Sequence, residues 1–204
     1  MLELTKQINA VSEKWNKVLF IDRQDSERRI KDIEIYSFER VTQSFDTGEI
    51  EISIALGEPS DRRFWFEKFK ENGFNFATLI HPSVHIPACT TVKEGAIIFT
   101  GSFISCDVAI SENVVILPHA NIGHDTYIGK HSVISGFANI AGRCSIGEES
   151  YIALSAAMKQ GTKIGNKSIV GMGSMIVRDI PDNVVAMGNP ARPMKNNEEH
   201  KVFK

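Results

Sequence analysis

Three histidines and one aspartate are the side chains of this sequence best suited to proton transfer. His119, His124 and His131 stand close together along the chain, and Asp125 directly follows His124. An imidazole titrates near neutral pH, so it can take a proton from an amine or hydroxyl as that group attacks another molecule. A neighbouring carboxylate that bonds Nδ1–H fixes the tautomer of the ring. His124 is therefore a candidate general base, and a surface histidine on a bend is the alternative interpretation.

These residues lie within a six-residue repeat that runs through more than half of the chain. A medium-sized apolar residue recurs at every sixth position from Ile80 to Ile176, and a small or β-branched residue follows four positions after nearly all of them. A period of six fits neither an α-helix nor an ordinary strand, and it is the signature of a parallel β-helix. Three hexapeptides close one triangular coil, so residues eighteen positions apart should stack about 4.8 Å from each other.

This stacking brings a second candidate next to His124. Gly142 follows it by eighteen residues and should lie one coil away. A glycine leaves its backbone N–H accessible, and such a donor can stabilise the oxyanion of a tetrahedral intermediate. Glycine also suits tight bends, so bend geometry alone is the alternative explanation for this residue.

The repeat resembles that of the left-handed β-helix acyltransferases over roughly residues 80–194. The segment "IVRDIPDNVVAMGNPARPMK" resembles the exit from the last coil in that family. The resemblance implies the left-handed sense of the coil, acetyl-CoA as co-substrate, and a homotrimer with active sites between neighbouring prisms. It assigns general-base catalysis to His124, support of that base to Asp125, and oxyanion stabilisation to Gly142.

Coenzyme A needs an apolar slot for its pantetheine arm and cations for its phosphates. In the later coils Leu154 and Met172 are candidates for the slot, and Gly142 lies where the thioester would be held. Arg192, in the "NPAR" segment, is the candidate phosphate contact. The sequence has neither a Walker-type loop nor a GxGxxG motif, so ATP and nicotinamide cofactors are not implied.

Residues 1–79 follow a different pattern, in which predicted strands alternate with predicted helices. "KVLFID" and "EISIALG" predict short buried strands, "LELTKQINAVSEKW" predicts a helix, and "PSDRRFWFEKFKENG" predicts a helix that ends at Gly73. We therefore predict a small parallel, Rossmann-like α/β unit over 1–79, a β-helix over 80–195 and a polar tail over 196–204.

The α/β unit resembles the N-terminal domain of bacterial nucleotide-sugar acetyltransferases, including those of the bacillosamine and perosamine pathways and the sialic-acid O-acetyltransferase relatives. The resemblance implies a nucleotide-sugar site with Asp22 and Gly57, and Arg62 or Arg63 as the arginine after that glycine. His119 is a candidate for the acceptor pocket. The family begins with a strand and a glycine-rich turn that this sequence lacks. Either its start is shortened or nucleotide binding is degraded, and we expect sugar nucleotides to bind weakly.

The leading interpretation is an enzyme that acetylates an amino or hydroxyl group of a nucleotide-activated sugar for surface-glycan biosynthesis. One alternative is a metal enzyme resembling the γ-class carbonic anhydrases, with His119 and His124 as ligands and a third ligand expected at the position of Ser83. Another is a non-catalytic, trimeric β-helix subunit. We expect His131 at the surface, and His81 and His85 as structural caps at the start of the repeat.

Composition excludes several other classes. The chain has 23 basic and 25 acidic side chains, a net charge of −2, so nucleic acid and anionic membranes are not expected as main partners. The sequence has no long apolar run that would insert into a membrane. Its three cysteines lack metal-binding spacing, which predicts a reduced, cytoplasmic protein without a bound metal, and Cys144 fits a core position of the repeat.

Overall fold

A computed structural model, which describes residues 1–22 and 26–203, consists of a small α/β part followed by a left-handed β-helical prism. The α/β part contains, in chain order, α1 (Leu2–Ser12), β1 (Phe20–Ile21), β2 (Ser26–Ile30), β3 (Ile33–Tyr36), α2 (Phe38–Ser44), β4 (Glu51–Ile52), α3 (Pro59–Glu71) and β5 (Asn75–Phe76). Its strands form two separate small sheets. β1 lies parallel to β3, which pairs with β2 in an antiparallel hairpin, and β4 lies parallel to β5.

The predicted strands of the α/β part are present but short, and the hairpin of β2 and β3 was not predicted. The prediction that "KVLFID" is buried is wrong, because Phe20 is half-buried and Ile21 is exposed. β1 and β4 are each two residues long, and each pairs with one neighbouring strand through two residue pairs. Helix α3 agrees closely with its prediction. It begins with Pro59 at its first turn, and its end is followed by Gly73 with a left-handed φ of 81°.

The prism is built from two-residue strands, each with one outward and one inward side chain. They are β6 (Leu79–Ile80), β7 (Thr91–Val92), β8 (Ile97–Ile98), β9 (Phe103–Ile104), β10 (Ala109–Ile110), β11 (Val115–Ile116), β12 (Asn121–Ile122), β13 (Tyr127–Ile128), β14 (Val133–Ile134), β15 (Asn139–Ile140), β16 (Ser145–Ile146), β17 (Tyr151–Ile152), β18 (Ala157–Met158), β19 (Lys163–Ile164), β20 (Ile169–Val170) and β21 (Met175–Ile176). A hairpin of β22 (Val184–Gly188) and β23 (Ala191–Asn196) closes the far end.

These strands form three parallel sheets, which are the three faces of the prism. The first face holds β6, β8, β11, β14, β17 and β20 together with the closing hairpin; the second holds β7, β10, β13, β16 and β19; the third holds β9, β12, β15, β18 and β21. Paired residues are eighteen positions apart, as Ile122 is from Ile140. The predicted stacking is thereby confirmed.

Three edges join the faces, and each is named after one histidine. The His124 edge carries Cys106, Asp107, His124, Asp125, Gly142 and Arg143; the His131 edge carries Glu112, Asn113, Lys130, His131, Glu148 and Glu149; the His119 edge carries Gly101, His119, Phe137, Leu154 and Met172. The third face lies between the His119 and His124 edges, because β12 connects His119 to His124. At each edge the chain turns through a residue with a left-handed backbone, such as Asp125 with φ 56°.

The interior explains both positions of the repeat. The apolar residues from Ile98 to Ile176 are all buried. At the small position the side chain satisfies a carbonyl fifteen residues later: Ser132 Oγ donates to Gly147 O at 2.7 Å, and Cys144 Sγ lies 3.3 Å from Lys159 O. Buried hydroxyls need such partners, so serine, threonine and the predicted core thiol are interchangeable there.

One position of the repeat departs from the pattern. Ile86 packs against the core but forms no strand. In the other coils the residue after the inward side chain donates its N–H to the next coil, as Ser105 does to Ile122 O. Pro87 occupies that place after Ile86 and has no N–H to donate, so this rung of the ladder is lost.

Helix α1 attaches the start of the chain to the first face. Leu4 is buried among the outward side chains Leu79, Ile97, Val115 and Val133. These four residues explain why the strands of the first face are apolar on both sides, since the outward side is covered as well. Among residues 1–22 and 26–203, no helix is both long and apolar enough to cross a membrane.

Candidate active site

His124 and Asp125 occupy a turn of the prism, and their side chains meet there. His124 Nδ1 lies 2.6 Å from Asp125 Oδ2. Successive residues of a strand point to opposite faces, but the left-handed backbone of Asp125 turns its carboxylate back toward the ring. With a proton held on Nδ1 by the carboxylate, Nε2 can accept a proton from a substrate. The side chains are 46% and 53% exposed, so the pair is accessible to ligands.

Gly142 lies beside this pair, one coil away. A Cβ atom at Gly142 would stand 2.5 Å from His124 Nε2, so any side chain would displace the imidazole. The backbone of Gly142 is not left-handed, so the close approach of His124, and not bend geometry, requires a glycine. Within the described part of the chain its N–H has no acceptor, whereas the adjacent Arg143 N bonds His124 O at 2.7 Å. A free donor next to the base is what oxyanion stabilisation needs.

The His124 edge is an exposed ridge in a single chain. Two grooves, of about 570 Å³ and 400 Å³, run along the His131 edge instead, where their lining includes Tyr127, Lys167 and Phe66. A coenzyme bound at His124 would therefore need walls that lie beyond this ridge.

The predicted coenzyme contacts do not lie on the same edge as the base. Leu154 and Met172 stand on the His119 edge, where they are 49% and 78% exposed. The third face separates them from Gly142. Arg192 is exposed in β23, opposite Met187 in the closing hairpin. One chain alone thus brings together His124, Asp125 and Gly142, but not these three residues.

His119 belongs to a ring stack on its own edge. Its ring fills the space above Gly101, where a Cβ atom would collide with it, and lies 5.1 Å from the ring of Phe137 at an angle of 17°. His119 and His124 project from different edges. Among the described residues, no three His, Cys, Asp or Glu side chains form a group that could hold a metal ion. Ser83 Oγ, at the position expected for a third ligand, lies 2.8 Å from His81 Nδ1, which makes His81 a local cap.

The prediction that His131 lies at the surface is wrong. Only 5% of His131 is exposed, because α3 covers this edge of the prism and places the ring of Phe66 5.4 Å from the imidazole. Burial lowers the pKa of His131 to about 4, and the nearby Arg62 and Arg63 act in the same direction. His131 is thus neutral at physiological pH. Its Nδ1 accepts a hydrogen bond from Asn113 Nδ2 at 3.0 Å.

Arg62, Asn113 and His131 form a polar network that joins the α/β part to the prism. Arg62 is fully buried, and its guanidinium donates to Asn113 O at 2.7 Å, to Asn113 Oδ1 and to Leu56 O at 2.9 Å. Asn113 Nδ2 returns a bond to Arg62 O at 3.0 Å. Burial lowers the pKa of Arg62 to about 9, which leaves it charged at neutral pH. This network fixes the segment before Gly57 against the prism.

Sequence reasoning named Arg62 but missed Asn113. Asparagine is common wherever an edge turns through a left-handed residue, and Asn113 has such a backbone with φ 56°. The turn alone was enough to explain an asparagine at position 113. Its hydrogen bonds to Arg62 became apparent only from the folded structure.

The residues predicted for the nucleotide sugar lie in the α/β part, one directly after a strand and the other within a loop. Asp22 follows β1 and is exposed, and its N–H donates to Tyr36 O at 3.0 Å. Gly57 is exposed in the loop between β4 and α3. The two positions belong to different small sheets.

Solved structures with the same architecture come from bacteria and include acetyltransferases. The acetyltransferase domain of PglB from Neisseria gonorrhoeae, in complex with acetyl coenzyme A, has a TM-score of 0.86 at 25% identity, with 94% of this chain and 92% of that chain covered. PerB from Caulobacter crescentus, in complex with CoA and GDP-perosamine, has a TM-score of 0.83 at 25% identity, with 93% and 90% covered. WeeI from Acinetobacter baumannii, at 20% identity and a TM-score of 0.84, shares the fold over 95% and 94%.

No protein-family model and no curated protein sequence matches the chain. The structural similarity nevertheless covers both the α/β part and the prism, because 94% of this chain is matched by PglB and 93% by PerB. The chain therefore has the fold of the left-handed β-helix, hexapeptide-repeat acetyltransferases and is similar to PglB and PerB over nearly its whole length.

Proposed function

We propose that this chain transfers an acetyl group from acetyl-CoA to an amino group of a nucleotide-activated sugar used for surface glycans, with a sugar hydroxyl as the alternative acceptor. One observation carries the proposal: an imidazole oriented by a carboxylate stands beside a free backbone N–H on the edge of the prism. PglB and PerB, which have this fold, bind acetyl-CoA or CoA, and PerB also binds GDP-perosamine.

The proposed chemistry is a direct transfer. The sugar amine attacks the thioester carbonyl while His124 Nε2 takes its proton, and the new C–N bond forms as the carbonyl becomes an oxyanion. Asp125 stabilises the resulting imidazolium through Nδ1–H. The Gly142 N–H bonds the oxyanion. The C–S bond then breaks, coenzyme A leaves as a thiolate, and the proton on His124 neutralises it. No covalent enzyme intermediate is needed, because the enzyme holds the amine and the thioester in the geometry for direct attack.

The proposal includes a homotrimer. Five large apolar side chains stay exposed along the third face and the His119 edge, and we call them the apolar band: Phe103, Phe137, Leu154, Met172 and Met175. Exposed apolar surface of this extent is typical of an interface. If the band of one copy packs against the His124 edge of the next, Leu154 and Met172 reach the base and line the pantetheine slot. His119 would then face the acceptor, and Arg192 the coenzyme phosphates.

The nucleotide sugar is proposed to bind the α/β part at Asp22 and Gly57, with the network of Arg62 holding this part against the prism. Three unpaired cysteines support a reducing, cytoplasmic setting, where acetyl-CoA is made.

Turnover of UDP-, dTDP- and GDP-linked amino sugars with acetyl-CoA tests the proposal, with coenzyme A release as the readout. His124→Ala should lower kcat about a hundredfold or more, because general-base loss has this effect. Its melting temperature should not change, since the ring is half exposed. His85→Ala, at an exposed histidine near the start of the prism, is the control and should retain wild-type kcat. An active His124→Ala enzyme would contradict the assignment, and zinc-dependent CO₂ hydration without acetyl transfer would favour the metal-enzyme alternative.

A further inference from the structure

The segment after the closing hairpin turns back toward the α/β part. Asn197 is buried and ties the segment to the prism: its N–H donates to Asn183 O and its Nδ2 to Lys167 O, both at 2.8 Å. His200 then takes a left-handed backbone with φ 49°. This turn directs the last described residues toward the loop that contains Gly57.

A buried carboxylate holds those residues in place. Glu58 is 8% exposed and precedes α3, but its side chain does not cap the helix. Its oxygens accept hydrogen bonds from Val202 N at 2.9 Å and Phe203 N at 3.0 Å. Bonds to an ionised acceptor are about twice as strong as neutral ones, so this contact is a specific anchor for the segment.

The anchor presents the ring of Phe203 at Gly57. Phe203 Cε2 lies 3.5 Å from where a Cβ atom would stand on Gly57, and the ring meets Tyr151 edge to face with a centroid distance of 5.7 Å. Phe203 nevertheless stays 56% exposed. The backbone of Phe203 is therefore held by Glu58 and one side of its ring by Tyr151, while more than half of the residue's surface is exposed. The exposed side of the ring is available to a ligand.

We infer that Phe203 is a substrate-binding residue that stacks on the nucleobase of the sugar nucleotide. The inference rests on the proposed function, because it needs a nucleotide bound at Gly57. Every base has a flat π-face, and aromatic rings bind it by stacking with little sequence preference. Gly57 and the ring of Phe203 border the same corner, since a Cβ atom at Gly57 would stand in ordinary van der Waals contact with the ring. Glu58 acts as a positioning residue, because it touches Phe203 and not the base.

The test compares Phe203→Ala with Phe64→Ala, a control at another phenylalanine of 56% exposure in α3. Phe203→Ala should raise KM for the sugar nucleotide about tenfold, the loss expected for one stacked base, and leave KM for acetyl-CoA unchanged. Phe203→Trp should restore the wild-type value, and Glu58→Gln should give a smaller increase. Phe64→Ala should change neither constant.

Calorimetric titration separates stacking from other effects. The affinity of Phe203→Ala should fall for a nucleoside diphosphate and stay constant for ribose 5-phosphate, which lacks a base. Equal nucleotide affinity in Phe203→Ala and wild type would overturn the inference while the proposed function stands. Tighter nucleotide binding by Phe203→Ala would also overturn it and would mark the segment as a plug of the site. If wild type transfers acetyl to no sugar nucleotide and binds no nucleoside diphosphate, the proposed function fails and the inference with it.

Discussion

The prism repeats one contact many times, whereas the α/β part makes each of its contacts once. In the prism Ile122 stacks on Ile140 as Ile128 stacks on Ile146, and the same hydrogen-bond pattern recurs from coil to coil. In the α/β part, by contrast, the single buried side chain of Arg62 donates hydrogen bonds both to Leu56 O and to Asn113 O in the prism. Repeat proteins gain stability from such neighbour contacts between identical units. A region joined through single contacts depends on each of them.

Within the prism, the residues that hold the fold together and the residues that could do chemistry occupy different positions. Its inward positions accept only apolar or small side chains, since any other residue would disturb the stack. Its edges accept any side chain that tolerates a turn, including Asp107, His119, Asp125 and Phe137 at left-handed positions. Reactive groups therefore gather on edges, where a rigid scaffold positions them and their loss costs little stability.

The largest effect is expected when a charge enters the stack. Ile128→Asp would bury a carboxylate at a fully buried position without a partner, which costs several kcal/mol. Domains have a total stability of about 5–15 kcal/mol, so insoluble or unfolded protein is expected. Tyr127→Asp is the matched control, because Tyr127 is the outward residue of the same strand and 42% exposed. Circular dichroism and light scattering report the outcome. A folded Ile128→Asp protein would contradict the inward assignment.

A smaller, local effect is expected from the contact between the two regions. Arg62→Met removes a buried cation and leaves carbonyl acceptors without a donor, and each buried acceptor left unsatisfied costs about 1–3 kcal/mol. Lys70→Met is the control: its ion pair with Glu94 also joins α3 to the prism, but the two side chains are 53% and 40% exposed, so the pair contributes about 0–1 kcal/mol. Limited proteolysis should cut Arg62→Met within residues 1–76 and spare the prism. Equal protection of both variants would show that the network is dispensable.

How far the sequence could predict the molecule follows from the same comparison. The period of six fixed Ile98 to Ile176 as inward positions and placed Gly142 beside His124, since both follow from counting along the chain. Counting also assigned His131 to the surface, because its position in the repeat is an edge. That edge is covered by α3, and contacts between distant segments leave no period in a sequence. The α/β part has no repeat at all, so its hairpin and its two separate sheets were not predicted.

The covered edge should make stability depend on pH. The pKa of His131 is about 4 in the folded chain and about 6.5 when unfolded, chiefly because of burial. A proton therefore binds the unfolded state more tightly, so stability is full above pH 6.5 and falls as the pH drops toward 4. His131→Asn keeps a partner for Asn113 but does not titrate. Melting temperatures from neutral pH to about pH 5 should fall more steeply for wild type than for His131→Asn. Parallel curves would refute a role for this histidine.

The smallest effect is expected on the exposed edge that carries the chemistry. Asp125→Asn keeps the left-handed turn, because asparagine tolerates this backbone well. The amide is uncharged, so it holds Nδ1–H of His124 less firmly and no longer stabilises an imidazolium. The pair is about half exposed, and exposed charge pairs are worth about 0–1 kcal/mol, so kcat should fall about tenfold or less with no change in melting temperature. Asp107→Asn is the matched control, since Asp107 holds the equivalent turn one coil earlier with the same φ of 56° and has no histidine before it. Steady-state kinetics of both variants decide the point. If they lose activity equally, the carboxylate at position 125 acts through the turn and not through His124.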